Sequence, residues 1–238
     1  MKASVLRQIN ELNEKGKISA YPPASLSDLK NFVDCKGVTI HKSYMDLLSL
    51  SNGLETSDGY FRIFGIGNDA KIDALNWNSI DTWKFAWPER VRKYWCFAET
   101  AVGDQYAFDS TMDSCQVYLL SHLTMMAECL EENFEDFLTN EFFRNAIAPY
   151  DPTILSAKKR FGTISGTEIL SQSPSVLVTG VEDANSMIQM PRTAAMIANG
   201  DLCTQLIDQP QSNSIRGVEP VQDSKGRMRL RVVWAAMP

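Results

Sequence analysis

One stretch, Ser43–Gly65 with the sequence SYMDLLSLSNGLETSDGYFRIFG, constrains the chain most, because it spells in order a helix start, a helix stop, a loop and a strand. Ser43 and Asp46 have the spacing of a capping box, in which the hydroxyl accepts from an orphan helix amide and the carboxylate reaches back to the cap. Tyr44, Leu47, Leu48 and Leu50 supply an apolar side. Asn52-Gly53 then ends the helix, since glycine takes the left-handed conformation without a Cβ penalty. After Thr56-Ser57-Asp58-Gly59, the run Tyr60–Phe64 is aromatic and β-branched with Arg62 at its middle, the pattern of a strand with one wetter face.

The flanks extend this order. Val5, Leu6, Ile9 and Leu12 lie at helical spacing, which predicts an amphipathic helix within residues 1–21. Pro22-Pro23 breaks it, and Ser25 with Asp28 forms a second capping-box pattern. The helix so opened has Leu26, Leu29, Phe32 and Val33 as apolar positions and stops at Gly37, after which Val38, Thr39 and Ile40 run extended. Beyond Gly65, GIGNDA matches the dinucleotide pattern on paper. That site needs a helix opening at the glycines and a parallel strand further on, whereas KIDALNWNSIDTW is weakly amphipathic and an antiparallel pattern follows, so the segment is read as a turn.

Four of the five tryptophans, Trp77, Trp83, Trp87 and Trp95, fall close to Lys84, Arg90, Arg92 and Lys93. Aromatics interleaved with bases can stack on a single-stranded nucleic acid. The preferred reading is that the rings fill the core and rim of a sheet while the bases answer neighbouring acids. From Tyr94 the pattern becomes a meander, YWCFAE, QYAFD and QVYLLS, separated by Gly103-Asp104 and by Asp109–Ser114. Phe134, Phe137, Leu138 and Phe142 then return to helical spacing, as in a helix that covers a sheet face.

With 238 residues, 44% hydrophobic and 22% charged, the chain is ordinary globular material. No apolar run approaches the roughly 20 residues of a membrane span, and the start lacks the apolar core of a secretory signal, so a cytoplasmic protein is expected. Cys35, Cys96, Cys115, Cys129 and Cys203 are odd in number and widely spaced, with only His41 and His122 beside them. No metal site, disulfide framework or cofactor is expected, and the thiols are read as reduced and mostly buried.

The net charge of −6 is unevenly placed: between Lys93 and Arg144 there is no base, while ten acids occur. Such a segment repels nucleic acid and favours a basic partner. The candidate partner-binding residues are Asp104, Asp109, Asp113, Glu128, Glu131, Glu132, Glu135 and Asp136. No catalytic residue is expected. Ser156 and Lys159 have an S-x-x-K spacing, but its companion motifs are absent.

Residues 22–143 resemble the SUKH superfamily of bacterial toxin-immunity proteins, which also includes fungal cell-wall regulators. The carriers, in order, are S-L-S-D-L-K-N-F, V-T-I-H-K-S-Y-M-D-L-L, S-N-G, F-R-I-F-G, W-C-F-A-E-T-A-V-G-D-Q-Y-A-F-D, V-Y-L-L and N-F-E-D-F-L. His41 stands where the family usually has proline, and Leu54 where a further glycine is frequent. The resemblance implies an α+β domain, an antiparallel sheet flanked by helices, whose role is to bind a toxin and block it without catalysis.

A boundary is expected at Ala148–Pro152, dividing residues 22–148 from a smaller, mostly-β unit over 153–238. Ser175–Val181 reads as a strand. Thr193–Ala198, Asn199-Gly200 and Asp201–Ile207 read as a hairpin with a favoured turn dipeptide. Ile215–Gln222 and Arg227–Trp234 read as another, with Arg227, Arg229 and Arg231 on one face, a basic patch for an acidic partner or for the chain's own acids. The expected function is a protein-binding module that neutralises a basic, nuclease-type toxin. The alternatives are a scaffold module without a toxin and a single-stranded nucleic-acid binder.

Overall fold

Residues 1–34, 41–148, 152–207 and 214–235 are described by a computed structural model of the chain, and among them seven strands pair antiparallel in the order in which they occur. They are β1 (Ile18–Ala20), β2 (Leu54–Thr56), β3 (Phe61–Ile63), β4 (Tyr94–Thr100), β5 (Gln105–Asp109), β6 (Val117–Leu120) and β7 (Ala127–Glu131). Helices α1 (Ala3–Glu14), α2 (Leu26–Asp34), α3 (Lys42–Leu48) and α4 (Ala74–Trp77) precede β4. After β7, α5 (Phe134–Phe137) runs through a π-helical turn, Leu138–Phe142, into α6 (Phe143–Ile147). The α+β fold expected from the sequence is the fold observed.

The helical stretch after β7 covers one sheet face because its phenylalanines recur at helical spacing and the sheet offers rings at strand spacing. Phe137 lies 5.1 Å from Phe97 and 4.9 Å from Tyr106, and Phe97 stacks on Phe108 at 4.4 Å. Trp77, Trp83 and Trp87 fill the other face, where the Trp77 indole N–H donates to Gln105 (2.8 Å), the neighbour of Tyr106 and so on the opposite side of β5, whereas Trp95 stands opposite Phe108 and packs on Phe32 at 5.7 Å. Trp77, Trp83, Trp87 and Trp95 are all buried, as the core reading of that segment requires.

Of the two expected capping boxes one forms. Ser25 Oγ accepts from the Asp28 amide (3.0 Å) and donates to its carboxylate (2.6 Å). At α3 the chain enters the helix earlier than Ser43: extended His41 is the cap, its Nδ1 accepting from the Ser43 amide at 3.3 Å. Asp46 instead accepts from the Met1 amine at 2.6 Å. On α2 only Phe32 of the expected apolar side is buried, while Leu26 and Val33 are 87% and 63% exposed. Gly37, Val38, Thr39 and Ile40 lie outside the described residues.

Asn52-Gly53 does something other than stop a helix, since α3 already ends at Leu48. The Asn52 side-chain amide donates to Ile66 O (2.9 Å) and accepts from Ile66 N (2.8 Å), imitating a strand neighbour. Gly53 has φ +100°, and a Cβ there would stand 2.7 Å from Ile63 O. Gly53→Ala is therefore expected to cost about 1–2 kcal/mol, because positive φ and a backbone clash are combined. Urea denaturation measures this, and an unchanged midpoint would show that β3 gives way freely. The GIGNDA segment is a turn, and the next helix, α4, opens instead at Asp73, whose carboxylate accepts from Leu75 and Asn76 amides.

Beyond residue 151 the elements are α7 (Pro152–Phe161), β8 (Glu168–Gln172), α8 (Val176–Thr179), β9 (Met187–Pro191), α9 (Arg192–Leu206), β10 (Ile215–Gln222) and β11 (Met228–Trp234). β8–β9 and β10–β11 are two-stranded antiparallel sheets, the second being the expected hairpin with Gly226 at φ +75°. Two expectations fail. Ser175–Val181 contains the short helix α8, and the hairpin over 193–207 is the long helix α9. Asn199-Gly200 is not a turn: Gly200 lets α9 approach the tryptophan segment, where a Cβ would lie 2.8 Å from Trp87 Nε1. Ile169, Ala195, Met196 and Cys203 share the core of the seven-stranded sheet.

Candidate protein-binding surface

The acidic run divides into carboxylates that hold the fold and carboxylates that face outward. Asp109 is buried against Lys93 Nζ (2.7 Å) and accepts from the Thr111 hydroxyl (2.6 Å). Burial pushes its carboxyl up, but the Lys93 and Thr111 bonds outweigh this and hold it below the usual range. Asp104 accepts from the His122 amide (2.9 Å) and pairs with its Nδ1 (2.7 Å); burial opposes ionisation there, and the His122 charge and bonds again win. Glu135 is buried beside the amino terminus, accepting from Lys2 N at 2.9 Å. Of the eight candidate acids, these three are thus occupied within the molecule.

The other five lie outward. Asp113, Glu128 and Glu132 are exposed, while Glu131 and Asp136 are half-buried. Glu131 accepts from the Asn140 side chain (3.1 Å), and Asp136 from the Asn133 side-chain amide (2.6 Å). β7 is the last strand of the sheet and carries Glu128 and Glu131, with Glu132 next in the chain. Beside it a groove of about 480 Å³ is lined by Gln8, Glu131, Thr139, Asn140, Glu141 and Arg144, among others. The acids are legible in the sequence but β7 is not, because a strand with one neighbour and polar ends has no apolar alternation to betray it.

The competing surfaces are spent internally. Lys84 is buried, donating to Tyr94 O (2.6 Å) and Asn78 Oδ1 (2.8 Å), so the tryptophan segment offers no stacking platform. On the C-terminal hairpin Arg229 pairs with Asp201 and Arg231 with Glu219. Arg227 binds Asp223 (2.7 Å), lies 3.6 Å from Asp81, and stacks over the Phe85 ring at 3.5 Å. The basic strand face thus meets the chain's own acids. Ser156 and Lys159 are both exposed on α7. Among the described residues no group of His, Cys, Asp and Glu could hold a metal ion, and no helix is long and apolar enough to cross a membrane. The thiols divide evenly rather than being mostly buried: Cys96 and Cys203 are buried and Cys115 and Cys129 exposed, while Cys35 lies outside the described residues.

Arg62 is the residue the sequence disguised. It is 2% exposed rather than wet, with Nε 2.9 Å from Glu55 and Nη1 3.2 Å from Glu99. It also donates to the carbonyls of Ser165 (2.8 Å), Glu168 (3.0 Å) and Ile164 (3.3 Å). Arg192 at the start of α9 approaches the same Glu99 at 3.3 Å. Tyr21 (2.7 Å) and Lys71 complete the shell of Glu55. Two buried arginines thereby tie the C-terminal elements to β2, β3 and β4.

The sequence pattern of the SMI1 / KNR4 family (SUKH-1) matches residues 23–140, the part of the chain that builds β2 to β7 and the start of their covering helix. The crystal structure of Atu4351 from Agrobacterium tumefaciens is similar in fold, with a TM-score of 0.51 and 12% identity over 89% of this chain and 91% of that chain. That likeness extends past the family match into the C-terminal elements. No curated protein matches the sequence. Over residues 23–140 the chain belongs to the SMI1 / KNR4 family (SUKH-1).

Proposed function

We propose that the chain is a non-catalytic binding module of the toxin-immunity kind, which holds a basic protein partner, a nuclease-type toxin domain, against the acids exposed around β7. The observation that carries the reading is that the segment without a single base, Lys93 to Arg144, leaves Asp113, Glu128, Glu131, Glu132 and Asp136 outside after the fold has taken what it needs. Clustered charge of one sign speeds encounter with an oppositely charged protein and repels nucleic acid. The family resemblance supplies the kind of partner; the acids supply its sign.

Reversing Glu128, Glu131 and Glu132 to lysine tests it. Partner capture from the native host should fall and lose its salt dependence, while the circular dichroism spectrum stays unchanged, since exposed charges contribute only about 0–1 kcal/mol each to stability. Wild type and variant would be compared at low and high salt, with the retained protein identified by mass. Equal capture in all four conditions would mean that the acids are only a solvated rim. A retained partner without nuclease character would favour a scaffold role over immunity.

A further inference from the structure

We propose that the partner docks by adding a strand: a basic, extended segment pairs its backbone with the outer edge of β7 and becomes an eighth strand of the sheet. This rests on the reading that the partner is a basic protein bound at the exposed acids. β6 occupies one side of β7, in a register that runs from Leu120 opposite Ala127 to Val117 opposite Glu131, and the sheet order ends there among the described residues. An edge strand presents a row of N–H and C=O groups that a further strand can satisfy. Ala127, Glu128 and Cys129 are exposed on this edge, Met126 just before it is 63% exposed, and β5 two strands inward is buried throughout.

A bulge sets the side-chain pattern. Glu128 stands opposite Leu119 and Glu131 opposite Val117, while Cys129 stands opposite Tyr118, so Leu130 is the extra residue. Val117 and Leu119 share a face of β6, and opposed residues share a face of the sheet. The bulge therefore returns Glu131 to the face of Glu128, although residues three apart on a regular strand would diverge. Two carboxylates consequently flank two successive same-face positions of an incoming strand, which selects Lys or Arg at alternate residues.

The same acids argue against a second copy of this chain as the occupant. Two β7 strands paired antiparallel about Cys129 would gather two copies each of Glu128 and Glu131 on one short ribbon with no base among them. Like charges on neighbouring strands repel, whereas a lysine-bearing strand gains the same backbone bonds with attraction.

The test uses the whole chain and a synthetic peptide of about ten residues alternating lysine with valine or threonine, long enough to span an ordinary strand. A second peptide has the same side chains with every backbone nitrogen methylated. The first should bind and slow hydrogen exchange at the β7 amides that β6 leaves free. Full methylation should weaken binding by about tenfold or more, because the backbone bonds are lost while the charges remain. Equal binding of the two peptides, sensitive to Glu128→Lys and Glu131→Lys, would overturn strand addition and leave the acidic surface standing as a purely electrostatic site. Absence of binding, or binding without protection of β7, would also overturn it. Failure of the triple reversal to reduce partner capture would instead remove the acidic-surface reading itself.

Discussion

Arg62→Met will cost the chain about 3–5 kcal/mol, the range seen when one partner of a buried ion pair is removed. Methionine fills similar volume, so the loss is not that of a cavity. It leaves Glu99, which is fully buried, with Arg192 alone, and it strips the donor from the carbonyls of Ile164, Ser165 and Glu168. Urea denaturation gives the magnitude, and limited proteolysis should find new cleavage between Gly162 and Glu168. The acid limb supplies a second readout. Burial raises the Glu55 carboxyl, but Lys71, Tyr21 and Arg62 together hold it below its ordinary value near 4.5. A depressed folded-state value means stability that is present above pH 4.5 and lost as the pH falls through the folded value. With Arg62 gone, Glu55 is less depressed and its share of the acid sensitivity should shrink. A loss under about 1 kcal/mol with an unchanged acid limb would show that the remaining charges rearrange to satisfy one another.

Gly200→Val is the other large effect. The added Cβ would meet Trp87 Nε1 at 2.8 Å and Ala86 O at 2.9 Å, so α9 must withdraw. Withdrawal breaks the bonds from Trp87 Nε1 to Met196 O (2.8 Å) and from the Thr204 hydroxyl to Ala86 O (3.2 Å). Overpacking and a lost buried bond together amount to about 3 kcal/mol. Gly200→Ala decides the interpretation by its sign. On an open helix face alanine would stabilise by about 0.5–1 kcal/mol, whereas in contact with Trp87 it must destabilise.

These two positions mark where the sequence stopped being readable. The meander from Tyr94, the Ser25 cap and the helix after Asn133 depend on period, cap and turn chemistry within a few residues, and all three are found. Asn199-Gly200 carries equally good local turn chemistry, but its glycine answers to a tryptophan more than a hundred positions earlier, and packing overrides the dipeptide. Arg62 reads as a wet residue because a lone charge in a strand usually is one; the carbonyls that complete its shell are over a hundred residues downstream. The acids were legible as a group but not one by one. Nothing in the sequence separates Asp109, tied to Lys93, from Asp113 a few residues on, since only the folded register decides which carboxylate meets a base.

The strands pair in the order in which the chain is made, so each can add to its predecessor as it leaves a ribosome, with little long-range searching. Arg62 breaks that economy. Emerging with the third strand, it waits for residues 164–168 and for Arg192 before its surroundings are complete, and until then a sheet that is already zipped encloses a guanidinium short of acceptors. The downstream third of the chain is thereby a keystone set last. A fragment cut after residue 140, where the family match ends, keeps every strand of the arch and lacks the stone that locks it.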